Sequence, residues 1–259
     1  MWALAVAIFA GFKWFTWWYA RPHVRHGWWR SAAYLLMWPG MDAESFLTNK
    51  GPTAPTLSQW LWAILKTGLG VVLLWGVART LPGSAPLLRG WIGMLGLILL
   101  LHFGSFEVLA LFWQCAGVSA TPIMRAPLRS QSLGEFWGKR WNLGFRQLSH
   151  DLIFRPMYKY LGAAGAGFLV FVISGLLHDL VISVPARGGY GLPTLYFTIQ
   201  GAGVIAEHSV VGKRIELGKG FRGWLFMAMV TAMPAFWLFH PPFVRNVILP
   251  FMKAIGALP

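Results

Sequence analysis

Six long apolar runs separated by shorter polar stretches set the plan of the chain: Met1 to Ala20, Leu57 to Ala78, Gly90 to Gly117, Leu161 to Val184, Gly191 to Val211 and Trp224 to Phe239. About 20 apolar residues in a helix cross a hydrocarbon core roughly 30 Å thick, so each run predicts a membrane span. Ser31 to Trp38 is too short to cross, and Pro39 to Pro55 reads as a loop. The tail from His240, with Pro241, Pro242 and Pro250, predicts an interfacial helix or a short further crossing. The expected fold is all-α, a polytopic bundle of about six to eight transmembrane helices forming one domain over residues 1–259. The first run lacks a basic leader and a small-residue cleavage site, so it reads as a retained span rather than a signal peptide. Lys13 and Lys66 lie inside runs and are expected to snorkel to an interface.

Composition narrows the class. With 56% hydrophobic and 12% charged residues, the chain has too little polar surface for a soluble globule of 259 residues. A formal charge of +14 would suggest nucleic acid in a soluble protein. Here the basic residues sit mainly between the apolar runs, which favours anionic lipid head groups or an anionic cosubstrate instead. The loops 21–30, 118–160 and 212–223 carry three, seven and four Lys or Arg, whereas the alternate loops carry Arg79, Arg89 and Arg187. The positive-inside rule therefore places the first set in the cytosol and the N-terminus outside. His23 and His26 are three apart but stand among Arg21, Arg25 and Arg30, so a basic interfacial loop is the better reading than a metal site. The single cysteine, Cys115, excludes an intrachain disulfide and a cysteine-rich metal site.

Two stretches carry candidate chemistry. In Leu161 to Val184 the only ionisable residues are His178 and Asp179, and such groups inside a span cost about 2.5 to 3.5 kcal/mol on insertion scales. They therefore face a protein interior or a wet cavity, either as a site or as a pairing with a neighbouring helix. The other stretch is SLGEFWGKRWN, Ser132 to Asn142. Ser132 and Glu135 form a capping-box pattern, and Glu135 with Lys139 predicts an i, i+4 pair. Phe136, Trp137, Trp141 and Phe145 suit a helix lying at the membrane surface. His102 and Glu107, five apart in the third run, either line a cavity or pair with another helix.

Taken together, FWGKRWN at 136–142, preceded by Pro127 and Ser132 and followed by SGLLHD at 174–179, resembles the wax synthase branch of the membrane-bound O-acyltransferase family. The resemblance continues through GYGLPTLYFTIQGAGVIAEH (189–208) and covers roughly residues 90–245, with YLLMWPGMD (34–42) matching more loosely. It implies transfer of a fatty acyl group from acyl-CoA to an alcohol, most readily a long-chain fatty alcohol to give a wax ester. A sterol, a diacylglycerol or a polysaccharide hydroxyl is the alternative acceptor. His178 would be the general base, and Asn142 would orient the acceptor or donate to the oxyanion. Trp137, Lys139, Arg140, Trp141, Arg146, Ser174 and Glu207 would bind substrate, and direct transfer needs no acyl-enzyme on Ser174.

Acyl-CoA is then a cosubstrate, with no cofactor and no metal, and the partners are a lipid alcohol and membrane lipids rather than nucleic acid. The seven basic residues of 118–160 either hold the phosphates of coenzyme A or simply obey the positive-inside rule. The membrane is a bacterial inner membrane or the endoplasmic reticulum, and oligomeric state stays open. The chain departs from plant wax synthases in having fewer N-terminal spans and in HD rather than HE at 178–179. His178 also lies 17 residues beyond Leu161, deep for a thioester arriving from the cytosol. From another class, His102, Glu107, His178, Asp179 and Glu207 form a relay in a proton-coupled transporter. The absence of an inverted repeat speaks against that reading.

Overall fold

The structure, a computed structural model, describes residues 2–24, 27–48 and 51–259; Arg25 and His26 of the basic loop lie outside the described residues. Those described are mostly helical, with no strand among them. The helices are α1 (Trp2–Ala20), α2 (Trp28–Met37), α3 (Ala43–Leu47), α4 (Leu57–Thr80), α5 (Pro86–Cys115), α6 (133–140), α7 (Leu143–Ala186), α8 (Leu192–His208), α9 (Val210–Arg214), α10 (Gly220–Leu238) and α11 (241–254). Among the described residues, α4, α5, α7 and α10 are the four helices long and apolar enough to cross a membrane. Helices α1 and α8 form where spans were expected. The tryptophans, tyrosine and lysine of α1 hold down its mean hydropathy, and α8 has only 17 residues. Leu61, Ile64, Leu65 and Leu69 of α4 stand exposed, as befits a surface facing lipid. The protein is membrane-integral.

Local sequence explains the ends and the contacts. Thr56 and Gln59 make a reciprocal capping box that opens α4, and Pro86 occupies the first turn of α5. At Gly70 the two helices approach so closely that a Cβ would lie 2.5 Å from the Leu100 nitrogen. Both lysines expected to snorkel have partners within the fold. Lys13 is buried, donates to the Gly40 carbonyl and lies 3.3 Å from the centre of the Tyr34 ring. Lys66 pairs with Glu107 of α5. A nearby carbonyl, ring face or carboxylate thus offsets the cost of each ammonium. The proline-rich tail forms α11, which buries Val244 and Met252 against Gly90 and Gly93 of α5.

Two features position the site. Helical hydrogen bonds widen to i, i+5 over Leu99–Ser105, Phe136–Arg140, His150–Phe154 and Asp179–Ser183, turns of a kind that often mark functional segments. The second is a break inside α7 at Gly162, whose φ of 64° and ψ of −178° belong to a region essentially reserved for glycine. There the helix folds back on itself. Phe154 lies against Gly167, while Asn142 and Phe145 at the start of the first arm share cavity walls with Ser174 and His178 of the second.

Candidate active site

Segment 132–142 is not a surface helix. Phe136 is buried, and Trp137 packs against Phe171 and Phe197 with its indole N–H donating to Gln200 Oε1 at 3.3 Å. Ser132 caps α6 by accepting from the Glu135 N–H at 2.9 Å. Glu135 itself accepts from the Gln131 N–H and pairs with Arg140 at 2.7 Å rather than with Lys139. The wide turn over 136–140 brings the fifth residue, not the fourth, back over Glu135. The Gln131 N–H, followed by Arg140, holds the Glu135 carboxyl below the usual carboxylate range despite some desolvation.

Asn142 ends this segment in the left-handed conformation, with φ of 43°, which asparagine tolerates better than most residues. Its Oδ1 accepts from the Phe145 N–H at 3.4 Å and caps the first arm of α7. With Oδ1 so occupied, the amide N–H₂ remains as the donating end. On the second arm, His178 Nδ1 lies 2.6 Å from the Ser174 carbonyl. A carbonyl only accepts, so Nδ1 carries the proton and neutral His178 keeps a lone pair on Nε2. The Phe197 ring, 4.4 Å away between centroids, holds the imidazole plane.

Two cavities meet at these residues. The first, about 340 Å³, is walled by Trp137, Trp141, Phe154, Gly167, Val170 and Phe171, with Arg146, Ser149 and His150 as polar wall. The second, about 800 Å³, lies between α1, α2, α5 and the second arm of α7, and its wall is apolar apart from a few groups. Asn142, Phe145 and His178 line both. The first cavity runs down the Gly167, Phe171, Ser174 face to the imidazole.

Of the sequence candidates, Trp137, Trp141, Asn142, Arg146, Ser174 and His178 are brought to the first cavity, whereas Lys139, Arg140 and Glu207 are not in its wall. Glu207 is buried and accepts from the backbone N–H groups of Leu133 (2.6 Å) and Gly134 (3.4 Å), anchoring α6. Asp179 does the same for α8. It accepts from the N–H groups of Gly191 (2.9 Å) and Thr194 (3.1 Å), from the Thr194 hydroxyl and from the Ser183 hydroxyl (2.8 Å). With Glu107 held by Lys66, all three carboxylates of the suggested relay are committed elsewhere. Sequence reasoning did not single out Phe197, Phe145 or His150 as site residues. Phe197 stands inside the 189–208 segment, where its aromatic character was the available signal.

Comparison with known proteins bears on this same stretch. Residues 120–199 match the membrane bound O-acyl transferase family. The chain is 28% identical over 148 residues to probable long-chain-alcohol O-fatty-acyltransferase 7 of Arabidopsis thaliana, covering 50% of this chain and 42% of that protein. It is 27% identical over 143 residues to the long-chain-alcohol O-fatty-acyltransferase of Simmondsia chinensis, covering 50% and 40%. It is also 28% identical over 151 residues to acyl-CoA–sterol O-acyltransferase 1 of Arabidopsis thaliana, covering 52% and 44%. The matched stretch spans a little under half the length of each of these relatives. The stretch that matches the membrane bound O-acyl transferase family contains both Asn142 and His178, and over it the chain is similar to long-chain-alcohol O-fatty-acyltransferases.

Proposed function

We propose that the protein transfers a fatty acyl group from acyl-CoA to the hydroxyl of a lipid alcohol, with a long-chain fatty alcohol as acceptor and a wax ester as product. The observation that carries this reading is that His178 and Asn142 stand in the walls of both cavities. Two substrates held in separate chambers would meet there and nowhere else in the described residues. The acyl-CoA occupies the smaller cavity, where Arg146 offers a cation to its phosphates, and the alcohol occupies the larger apolar one. Lys139 and the other cations of 118–160 supply a basic approach to it.

In the step itself, His178 Nε2 takes the hydroxyl proton as the alcohol oxygen attacks the thioester carbonyl. The Asn142 N–H₂ group donates to the carbonyl oxygen as it gains charge. The tetrahedral intermediate collapses with loss of the coenzyme A thiolate, which receives the proton from the His178 imidazolium. A histidine whose Nδ1–H is held by a carbonyl is in the tautomer this step requires. The names of the relatives support an acyltransferase and favour a fatty alcohol over a sterol by number. The transporter reading loses support because three of its five groups are bound to other partners.

The test is acyl transfer by the purified protein in detergent, with labelled palmitoyl-CoA and a panel of fatty alcohols, sterols and diacylglycerol. Wild type, His178→Ala and Asn142→Ala are assayed side by side. Ester formed by wild type and lost in His178→Ala is expected, and the preferred acceptor names the substrate. Undiminished turnover in a folded His178→Ala protein would remove the mechanism.

A further inference from the structure

The larger cavity holds a polar group that the transfer step does not use. Its wall includes three side chains with imidazole or amide groups: Asn142, His178 and His102 of α5. The first two serve the reacting centre. His102 Nδ1 is buried and has no hydrogen-bond partner among the described residues, the one buried side-chain atom there of which this is so. Unpaired buried polar atoms are rare and call for an explanation.

Comparison within the chain shows why Nδ1 is orphaned. His23, His178 and His208 each place Nδ1 on the carbonyl four residues earlier, at 3.1, 2.6 and 2.8 Å. His102 sits in the Leu99–Ser105 turn, where the hydrogen bonds widen to i, i+5, and its Nδ1 makes no such bond. A buried lone pair is a lesser loss than a buried unpaired N–H, so the ring proton belongs on Nε2. His102 and His178 then present opposite faces to one chamber, the first a donor and the second an acceptor.

A plain long-chain alcohol has one polar end, and that end is consumed at His178. It would leave the His102 N–H against methylene groups. We infer that His102 is a second polar contact for the acceptor, donating to an oxygen other than the reacting hydroxyl, so that the preferred acceptor is an alcohol with a second oxygen near its head. A 1,2-diol and a glycerol monoether have this chemistry. The inference rests on the transferase reading and refines its substrate class.

The experiment uses the full chain purified in detergent and two readouts. The first is kcat/KM with palmitoyl-CoA for 1-hexadecanol, hexadecane-1,2-diol and 1-O-hexadecylglycerol. The second is the rise in Tm produced by each alcohol without acyl-CoA, which needs no turnover. Wild type should favour the two-oxygen alcohols by about tenfold, since a site built to bond an oxygen discriminates against the analogue lacking it. In His102→Leu that ratio should collapse toward one, through KM more than kcat, and His102→Gln, which keeps an N–H donor, should restore part of it. The Tm shifts should follow the same order. Equal use of all three alcohols by wild type overturns the inference, as does a preference that survives in His102→Leu. Should His102→Leu fail to fold, the wild-type ratio and His102→Gln decide the question. If no ester forms with any acceptor while the His102-dependent Tm difference is present, the transferase reading falls and the second contact stands.

Discussion

His178 Nδ1 donates to the main-chain carbonyl of Ser174, one turn earlier on the same helix, at 2.6 Å. The carbonyl cannot be removed by substitution, so the tautomer is built into the helix rather than borrowed from a neighbouring carboxylate. Asp179, the adjacent acid, is turned away into the start of α8.

The activity should therefore depend on the ring and not on the acid beside it. His178→Ala should lower kcat by two orders of magnitude or more, and His178→Gln should be no better, since an amide takes no proton. Asn142→Ala should cost about 10² to 10³ in kcat. The double variant should be little slower than the worse single one if the two groups act in one step as proposed. Steady-state assays of the four proteins check this.

Asp179 should prove a residue of stability first. Asp179→Ala leaves the Gly191 and Thr194 N–H groups and two hydroxyls without their acceptor, a loss of about 2 to 3 kcal/mol. Thermal unfolding in detergent should show a clear fall in Tm. Asp179→Asn keeps one carbonyl oxygen and should lose about half as much. A Tm unchanged in Asp179→Ala would contradict the anchoring role.

Glu135 gives a pH dependence with a definite sign. Its folded pKa lies below the ordinary value, so its contribution to stability is complete above that value and fades as the pH falls through the lowered one. Glu135→Gln should remove this part of the acid-side decline. Tm measured from pH 6 downward for both proteins, at about one-unit steps, tests it.

Gly162 should tolerate no side chain. Its φ and ψ cost about 1 to 3 kcal/mol for any other residue. Gly162→Ala should lower Tm accordingly and raise KM for acyl-CoA, because the spacing of the arms that wall the smaller cavity depends on this turn. A variant with normal KM for acyl-CoA would mean that the cavity is held by other contacts.

Much of this was legible in the sequence, and the boundary is physical. The helical class followed from the length of the apolar runs, and two short motifs pointed to Asn142 and His178, which the fold brings to the same cavity walls. The partners of Asp179 and Glu207 did not, because each caps the start of a helix distant in sequence and no periodicity records that. The Glu135 to Arg140 pair escaped because spacing rules assume a regular helix, and the turn over 136–140 is wider. Gly162 stands among other glycines in an apolar run, and nothing in composition distinguishes a glycine needed for a backbone reversal from one needed for packing.

The reversal at Gly162 also bears on how the protein comes to fold. Asn142 and His178 sit on the two arms of one helical hairpin, so they are brought together by neighbours in sequence rather than by the ends of the chain. Contacts of this local kind form early, since little chain entropy is lost in closing the loop between them. The hairpin that carries both residues can thus take shape during synthesis, before α10 and α11 have been made.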